Sequence, residues 1–177
     1  MNFIKTALEG VMVVEPKVYD DPRGFFYESY RKKLFVQNGI KDDFVQDNVS
    51  SSARGVLRGL HYQVAPRGQA KLMRVLRGSV YDVAVDIRPR SKTFGKFFAI
   101  TLSAANKRML YIPKGFAHGF CVLEEGTEFM YKVSNYYSPE HERGVLWNDP
   151  SLAIPWPKLG CDFILSDKDK KHPVLKS

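Results

Sequence analysis

The octapeptide Val80-Tyr81-Asp82-Val83-Ala84-Val85-Asp86-Ile87 alternates strictly, with Tyr81, Val83, Val85 and Ile87 on one side of an extended chain and Asp82, Ala84 and Asp86 on the other. A period of two cannot lay an apolar stripe along a helix, so this stretch commits the chain to a sheet. Segments of similar character, rich in Val, Ile, Phe and Tyr, cover residues 10–18, 24–30, 56–63, 70–77, 97–102, 107–112, 116–123 and 127–137, with prolines and glycines between them. Helix is expected only in short pieces: residues 30–37, stopped by Asn38-Gly39, and a turn opening at Ser166 as N-cap before Asp167-Lys168-Asp169. No linker, repeat or low-complexity stretch divides the chain, so residues 1–177 read as one mostly β domain, a double-sheet jelly roll or another closed barrel with a few short helices. Barrels of this kind hold ligands in their mouths, which directs attention to polar residues at inward strand positions.

Charge narrows the ligand. The chain carries 27 Lys and Arg against 19 Asp and Glu, a formal +8 that favours anionic partners. Arg23, Arg58, Lys71 and Lys168 stand singly beside the strand-like segments. Only Arg31-Lys32-Lys33 and Lys168-Asp169-Lys170-Lys171 approach a basic run, and Asp169 interrupts the second. Nucleic-acid binders present basic runs or a basic helix, whereas dispersed cations suit a compact dianion such as a diphosphate gripped from several sides. No apolar run reaches the roughly 18 to 20 residues of a membrane-spanning helix, and the N-terminus lacks a secretion signal. The expectation is a cytoplasmic protein with neither nucleic acid nor membrane as partner. Cys121 and Cys161 lack CxxC spacing and read as buried thiols of a reducing compartment.

The segment Val56-Leu57-Arg58-Gly59-Leu60-His61-Tyr62-Gln63 places a histidine and an arginine inside an apolar strand. His61 reads there equally as a hydrogen-bonded core residue and as part of a site. Regular alternation puts Arg58 and His61 on opposite faces, unless Gly59 marks a bulge. His118, in Ile112-Pro113-Lys114-Gly115-Phe116-Ala117-His118-Gly119-Phe120, is a second mid-strand histidine. Two such histidines shift the balance toward a site, because imidazole titrates near neutral pH and suits general base work. His141 and His172 lie among charges near turns and are assigned to solvent. Metal-binding cupin barrels offer a His-x-His pair with a downstream Glu; here Gln63 stands at the second position and Lys71 is the next inward polar residue. An ammonium is no ligand at neutral pH, so no metal is expected. In Tyr131-Lys132-Val133-Ser134-Asn135-Tyr136-Tyr137, Tyr131 and Tyr137 share parity and would stand roughly 20 Å apart at about 3.3 Å per residue. They serve either as two core aromatics or as contacts at both ends of an elongated ligand.

Several motifs, in order along nearly the whole chain, resemble one family. They are Asp21-Pro22-Arg23-Gly24-Phe25-Phe26-Tyr27-Glu28, Phe44-Val45-Gln46-Asp47-Asn48, residues 56–63, 82–88, 112–120 and 131–137, and Trp147-Asn148-Asp149-Pro150. Together they are similar to the dTDP-4-dehydrorhamnose 3,5-epimerases. The resemblance implies a cupin-type jelly roll (double-stranded β-helix), a homodimer, and catalysis without metal or cofactor on a dTDP-linked 4-keto-6-deoxyhexose. It further implies conversion of dTDP-4-dehydro-6-deoxy-D-glucose to dTDP-4-dehydro-L-rhamnose, in dTDP-L-rhamnose biosynthesis. Carried over residue by residue, it makes His61 the proton-abstracting base, Tyr131 the proton donor, Asp169 the carboxylate that orients the histidine, and Lys71 the cation near the developing oxyanion. Arg23, Glu28, Gln46, Asp47, Asn48, Arg58, Lys71, His118, Tyr137, Glu142 and Lys168 match substrate-binding positions, with Tyr137 the aromatic that stacks on thymine.

Members that invert one carbon share these motifs, so a 3- or 5-epimerase acting on a related nucleotide-linked 4-keto sugar is the alternative. Rivals from other classes are a catalytically silent cupin module for sugar nucleotides or nucleic acid, and a metal-dependent cupin oxygenase. An intact acid and base argue against the first, and the missing ligands against the second.

Overall fold

The computed structural model describes residues 1–176, and strand dominates it. In chain order the strands are β1 (Asn2–Lys5), β2 (Met12–Glu15), β3 (Val18–Asp21), β4 (Gly24–Tyr27), β5 (Gln46–Ser52), β6 (Leu57–Gln63), β7 (Lys71–Arg77), β8 (Ser79–Asp86), β9 (Phe97–Ser103), β10 (Met109–Ile112), β11 (Phe116–Val122), β12 (Thr127–Val133) and β13 (Glu142–Gly144). One helix, α1 (Lys32–Gln37), lies between β4 and β5. The strands assemble into a six-stranded sheet, β1-β2-β10-β7-β12-β5, and a five-stranded sheet, β13-β6-β11-β8-β9, with β3 and β4 as a separate hairpin. Val13, Met73, Val75, Leu110 and Phe129 of the first sheet share one core with Val80, Ala84, Phe116, Phe120 and Val122 of the second. This is the expected jelly roll, two sheets closed on a common interior.

The alternation in β8 turns out to serve two buried faces. Val80 and Ala84 join the core between the sheets, while Val83 and Val85 pack outside with Leu60, Ala117, Val145 and Leu152, covered by a late segment that includes Ile154 and Trp156. Asp82 and Asp86 are both fully buried, so the polar members of the pattern are not a solvent face. A buried carboxylate needs partners, and Asp86 has them in Arg88, Ser91 and Thr93. Asp82 has its partner in His118.

Several boundaries differ from the expectation. Pro16 separates the segment 10–18 into β2 and the start of the β3–β4 hairpin. The helix begins at Lys32 rather than residue 30. The last long strand stops at Val133, where the Asn135 side chain donates to the Pro66 carbonyl and accepts the Tyr136 N–H, so Tyr137 lies beyond the strand and the 20 Å parity argument does not apply to it. The Ser166 hydroxyl does accept the Asp169 N–H at 3.1 Å, but the turn it opens is a 3₁₀ turn over Asp169–Lys171. Cys121 is buried as expected; Cys161 is exposed. Among the described residues no helix is long and apolar enough to cross a membrane.

Gly59 carries the closest approach between neighbouring strands that bears on the site. Its φ is +131°, and a Cβ there would stand 2.5 Å from the Gly119 Cα and 2.9 Å from the His118 carbonyl oxygen. The backbones of β6 and β11 can meet this closely only without that side chain. Gly59→Ala is expected to destabilise the protein by more than about 2 kcal/mol, since a backbone conformation hostile to L side chains adds to the overpacking cost. A urea midpoint equal to that of the parent protein would contradict this.

Candidate active site

His61 on β6 and His118 on β11 stand opposite each other across the strand ladder. The register shifts between His118 and Phe120, just where Gly59 faces Gly119. This irregularity breaks the alternation of β6, and Arg58 and His61 both line one cavity of about 710 Å³. Its size falls within the roughly 300 to 1,000 Å³ of small-molecule sites.

Each histidine is paired with a carboxylate. The His61 Nε2 lies 2.5 Å from Asp169 Oδ1. The Leu57 N–H donates to the Ile164 carbonyl and the Ile164 N–H to the Gly55 carbonyl, and this bridging to the start of β6 brings Asp169 over from far along the chain. Burial alone would raise the Asp169 carboxyl, but the hydrogen bond and charge of His61, with the Ser166 hydroxyl, outweigh it and hold the group below the ordinary aspartate range. An ionised Asp169 places the imidazole proton on Nε2 and leaves the Nδ1 lone pair free to accept a proton. The His118 Nε2 donates to Asp82 at 3.0 and 3.1 Å. Burial, against the opposing pull of Asp82, keeps His118 below its ordinary pKa and therefore neutral near pH 7.

Around these pairs stand the Lys71 ammonium and the Tyr131 phenol. Burial lowers the Lys71 ammonium to about 8, with Asp82 and Glu142 opposing. Tyr131, on β12, packs against Phe129 with ring centroids 6.1 Å apart, and burial raises its phenol so that it stays protonated. Arg58 Nη2 donates to Ser52 Oγ at 3.1 Å. At the mouth the Tyr137 hydroxyl donates to Glu142 Oε2 at 2.8 Å, and Lys168 pairs with the same oxygen. Gln46 and Asn48 point inward from β5 and bond each other at 2.9 Å. The cavity thus gathers a histidine freed to act as base, a protonated phenol and a buried cation.

The sequence model of the family described as dTDP-4-dehydrorhamnose 3,5-epimerase matches residues 5–177. The dTDP-4-dehydrorhamnose 3,5-epimerase of Shigella flexneri is 56% identical over 96% of this chain and 93% of its own length. This chain belongs to the dTDP-4-dehydrorhamnose 3,5-epimerase family. Its fold is also that of a Legionella pneumophila dTDP-6-deoxy-D-glucose-3,5-epimerase crystallised with dTDP-4-keto-L-rhamnose, with TM-score 0.94, 52% identity and coverage of 98% of this chain and 92% of the other. A 3'-monoepimerase from Streptomyces bikiniensis in complex with dTDP-quinovose is similar too, with TM-score 0.92, 36% identity and coverage of 97% and 87%.

Most residues expected from the resemblance to the 3,5-epimerases meet in this one cavity: His61, Lys71, Tyr131, Asp169, Gln46, Asn48, Arg58, His118, Tyr137, Glu142 and Lys168. Three do not. Asp47 has the opposite parity to Gln46 and Asn48 on β5, faces outward and pairs with Lys132 at 2.8 Å. Arg23 and Glu28 sit at the β3–β4 hairpin, away from the cavity, where Arg23 pairs with Asp21 and Glu28 with Arg31. The assignment of two histidines to solvent is also corrected. His141 is half-buried with Nδ1 2.7 Å from the Ser138 hydroxyl, and the His172 side chain is only 10% exposed, with Nε2 3.6 Å from Asp169 Oδ1. Asp82, the partner of His118, matches none of the expected site positions; its place in the alternating octapeptide, on the face with Ala84, is the available signal.

Proposed function

We propose that this 3,5-epimerase inverts C3 and C5 of dTDP-4-dehydro-6-deoxy-D-glucose and yields dTDP-4-dehydro-L-rhamnose. Both carbons flank the C4 ketone, so loss of either C–H proton is eased by delocalisation into an enolate. His61 takes the proton at Nδ1, and Asp169 stabilises the imidazolium that results. Lys71 opposes the negative charge that develops on the C4 oxygen, where a buried ammonium acts with little screening. Tyr131 returns a proton to the opposite face of the ring, and repetition at the second carbon completes the double inversion. In this reading Arg58 meets the diphosphate and Tyr137 the thymine. The single observation that carries this reading is the His61–Asp169 pair at 2.5 Å inside a cavity that Tyr131 and Lys71 also line.

The working unit in this reading is a homodimer. Arg23 and Glu28 match substrate-binding positions yet belong to a hairpin that does not reach its own cavity. Beside them Tyr19, Phe25 and Phe26 are exposed. In the dimer this hairpin extends to the cavity of a second copy. The two free thiols fit a cytoplasmic setting.

The test is to run the reaction in deuterium oxide and follow C3 and C5 by NMR. Deuterium is expected at both carbons, and L-rhamno product follows reduction at C4. Label at one carbon alone would overturn double inversion in favour of a 3- or 5-epimerase, and label at neither would overturn the function.

Lys71 adds a pH signature. Its ammonium is the useful form, and in the folded protein it is lost from about pH 8 upward. kcat/KM is therefore expected to fall above about pH 8. Stability should move the other way. Between about 8 and the ordinary lysine value of 10.5 the unfolded chain binds more protons at this group than the folded one, so its contribution to stability rises with pH. Alkaline limbs of activity and stability that run in parallel would contradict the assignment.

A further inference from the structure

We infer that His61, Asp169 and His172 form a site for one divalent transition-metal ion, zinc above all, and that an ion held there silences the enzyme. The binding stands on geometry alone; the silencing rests on His61 acting as the base. The ligand atoms of the three residues all lie within 4.8 Å of one another. Asp169 Oδ1 is 2.5 Å from His61 Nε2 and 3.6 Å from His172 Nε2. Zinc bound at 2.0–2.2 Å to imidazole nitrogen and carboxylate oxygen sets its tetrahedral ligands roughly 3.3 Å apart, so small side-chain rotations convert one arrangement into the other. Two imidazoles and a carboxylate suit zinc far better than magnesium or calcium, which prefer oxygen. The fourth position is left to a water or a substrate oxygen.

Two further observations point at a ligand. His172 Nε2 is buried and has no hydrogen-bond partner, which native proteins seldom leave unexplained. Its ring also occupies a space that the fold leaves only at a glycine. Gly144 on β13 stands opposite His61 in the β13–β6 ladder, and a Cβ at Gly144 would come within 2.4 Å of three atoms of the His172 ring. Immediately after His172, the Pro173 carbonyl accepts the Leu146 N–H at 2.8 Å and ties the segment down. The second imidazole is thus held beside the first by backbone pairing. An ion on His61 Nε2 leaves the one proton of the neutral ring on Nδ1, the atom that must accept, so proton abstraction stops while the sugar-nucleotide cavity persists.

The probe is zinc chloride alone, titrated calorimetrically into the full-length protein and, in parallel, into the deuterium-exchange reaction. Wild-type protein is expected to bind one zinc per chain and to lose exchange as that site fills. His172→Phe keeps a ring on Gly144 but removes the ligand, and His172→Gln guards against a packing effect of the phenyl group. Both are expected to exchange at close to the wild-type rate without zinc, to bind it at least tenfold more weakly, and to resist it at concentrations that silence the wild type. Equal zinc affinity in wild type and both variants, or no stoichiometric binding, overturns the site. Stoichiometric binding that leaves exchange untouched overturns the silencing. Should the protein bind zinc through His172 but fail to epimerise even without it, the function falls and the site stands.

Discussion

His61→Asn is expected to slow deuterium exchange at C3 and C5 by about 10³ to 10⁴ fold, the upper part of the range for loss of a general base, while dTDP still binds. The carboxamide is polar and fills part of the space of the imidazole, so the cavity wall survives, although it is too short to reach Asp169 in place of Nε2. What disappears is the imidazole lone pair that takes the proton in the proposed reaction. Both carbons should be affected, because one base serves both. A calorimetric titration with dTDP and an NMR exchange assay separate the cases. Exchange surviving at either carbon would mean that a second base acts there, and His118 would be the first residue to suspect. That is not expected, since His118 is almost fully buried and burial disfavours the imidazolium that proton abstraction would leave there.

Lys71→Met is expected to cost about 10² to 10³ fold in kcat, the scale for removing one preorganised group that stabilises an oxyanion. It should also raise stability. Methionine is of similar length and carries no charge, so the substitution removes the burial cost that lowers the Lys71 ammonium to about 8. Less activity with a higher urea midpoint is the outcome that identifies a charge kept for chemistry. A variant that loses both would identify Lys71 as a structural cation, and one that keeps full activity would remove it from the mechanism. Substrate binding should change less than kcat, because the negative charge that Lys71 meets forms only after the proton has left.

Much of the architecture was legible in period-two patterning, because most strands of the jelly roll have at least one buried face and alternate accordingly. The exceptions have physical reasons. β5 reads Gln-Asp-Asn-Val-Ser-Ser-Ser, an edge strand with a polar inward face that lines the cavity, so hydrophobic periodicity passes over it. Asp47 could be matched to a binding position by motif, but which side of β5 it occupies depends on a register that only the pairing with β12 reveals. Arg58 and His61 have opposite parity in regular strand. They share a wall because Gly59 lets β6 and β11 approach, a possibility the glycine advertised without proving. His172 was missed because local composition speaks for solvent. Its burial comes from Gly144, a partner distant in sequence and marked there only by an absent side chain. The His61–Asp169 pair likewise spans residues that no local pattern connects, and only the resemblance put them together.

His61 belongs to the five-stranded sheet and Tyr131 to the six-stranded one. In the proposed reaction the group that removes a proton and the group that returns one are therefore mounted on opposing walls of the sandwich, and a sugar ring between them would present a different side to each. Inversion then follows from topology: a carbon deprotonated toward one sheet and reprotonated from the other changes hand without either residue having to cross the gap. In that reaction the core that holds the two surfaces apart, Met73, Phe120 and Phe129 among it, serves as a stereochemical gauge as well as a source of stability.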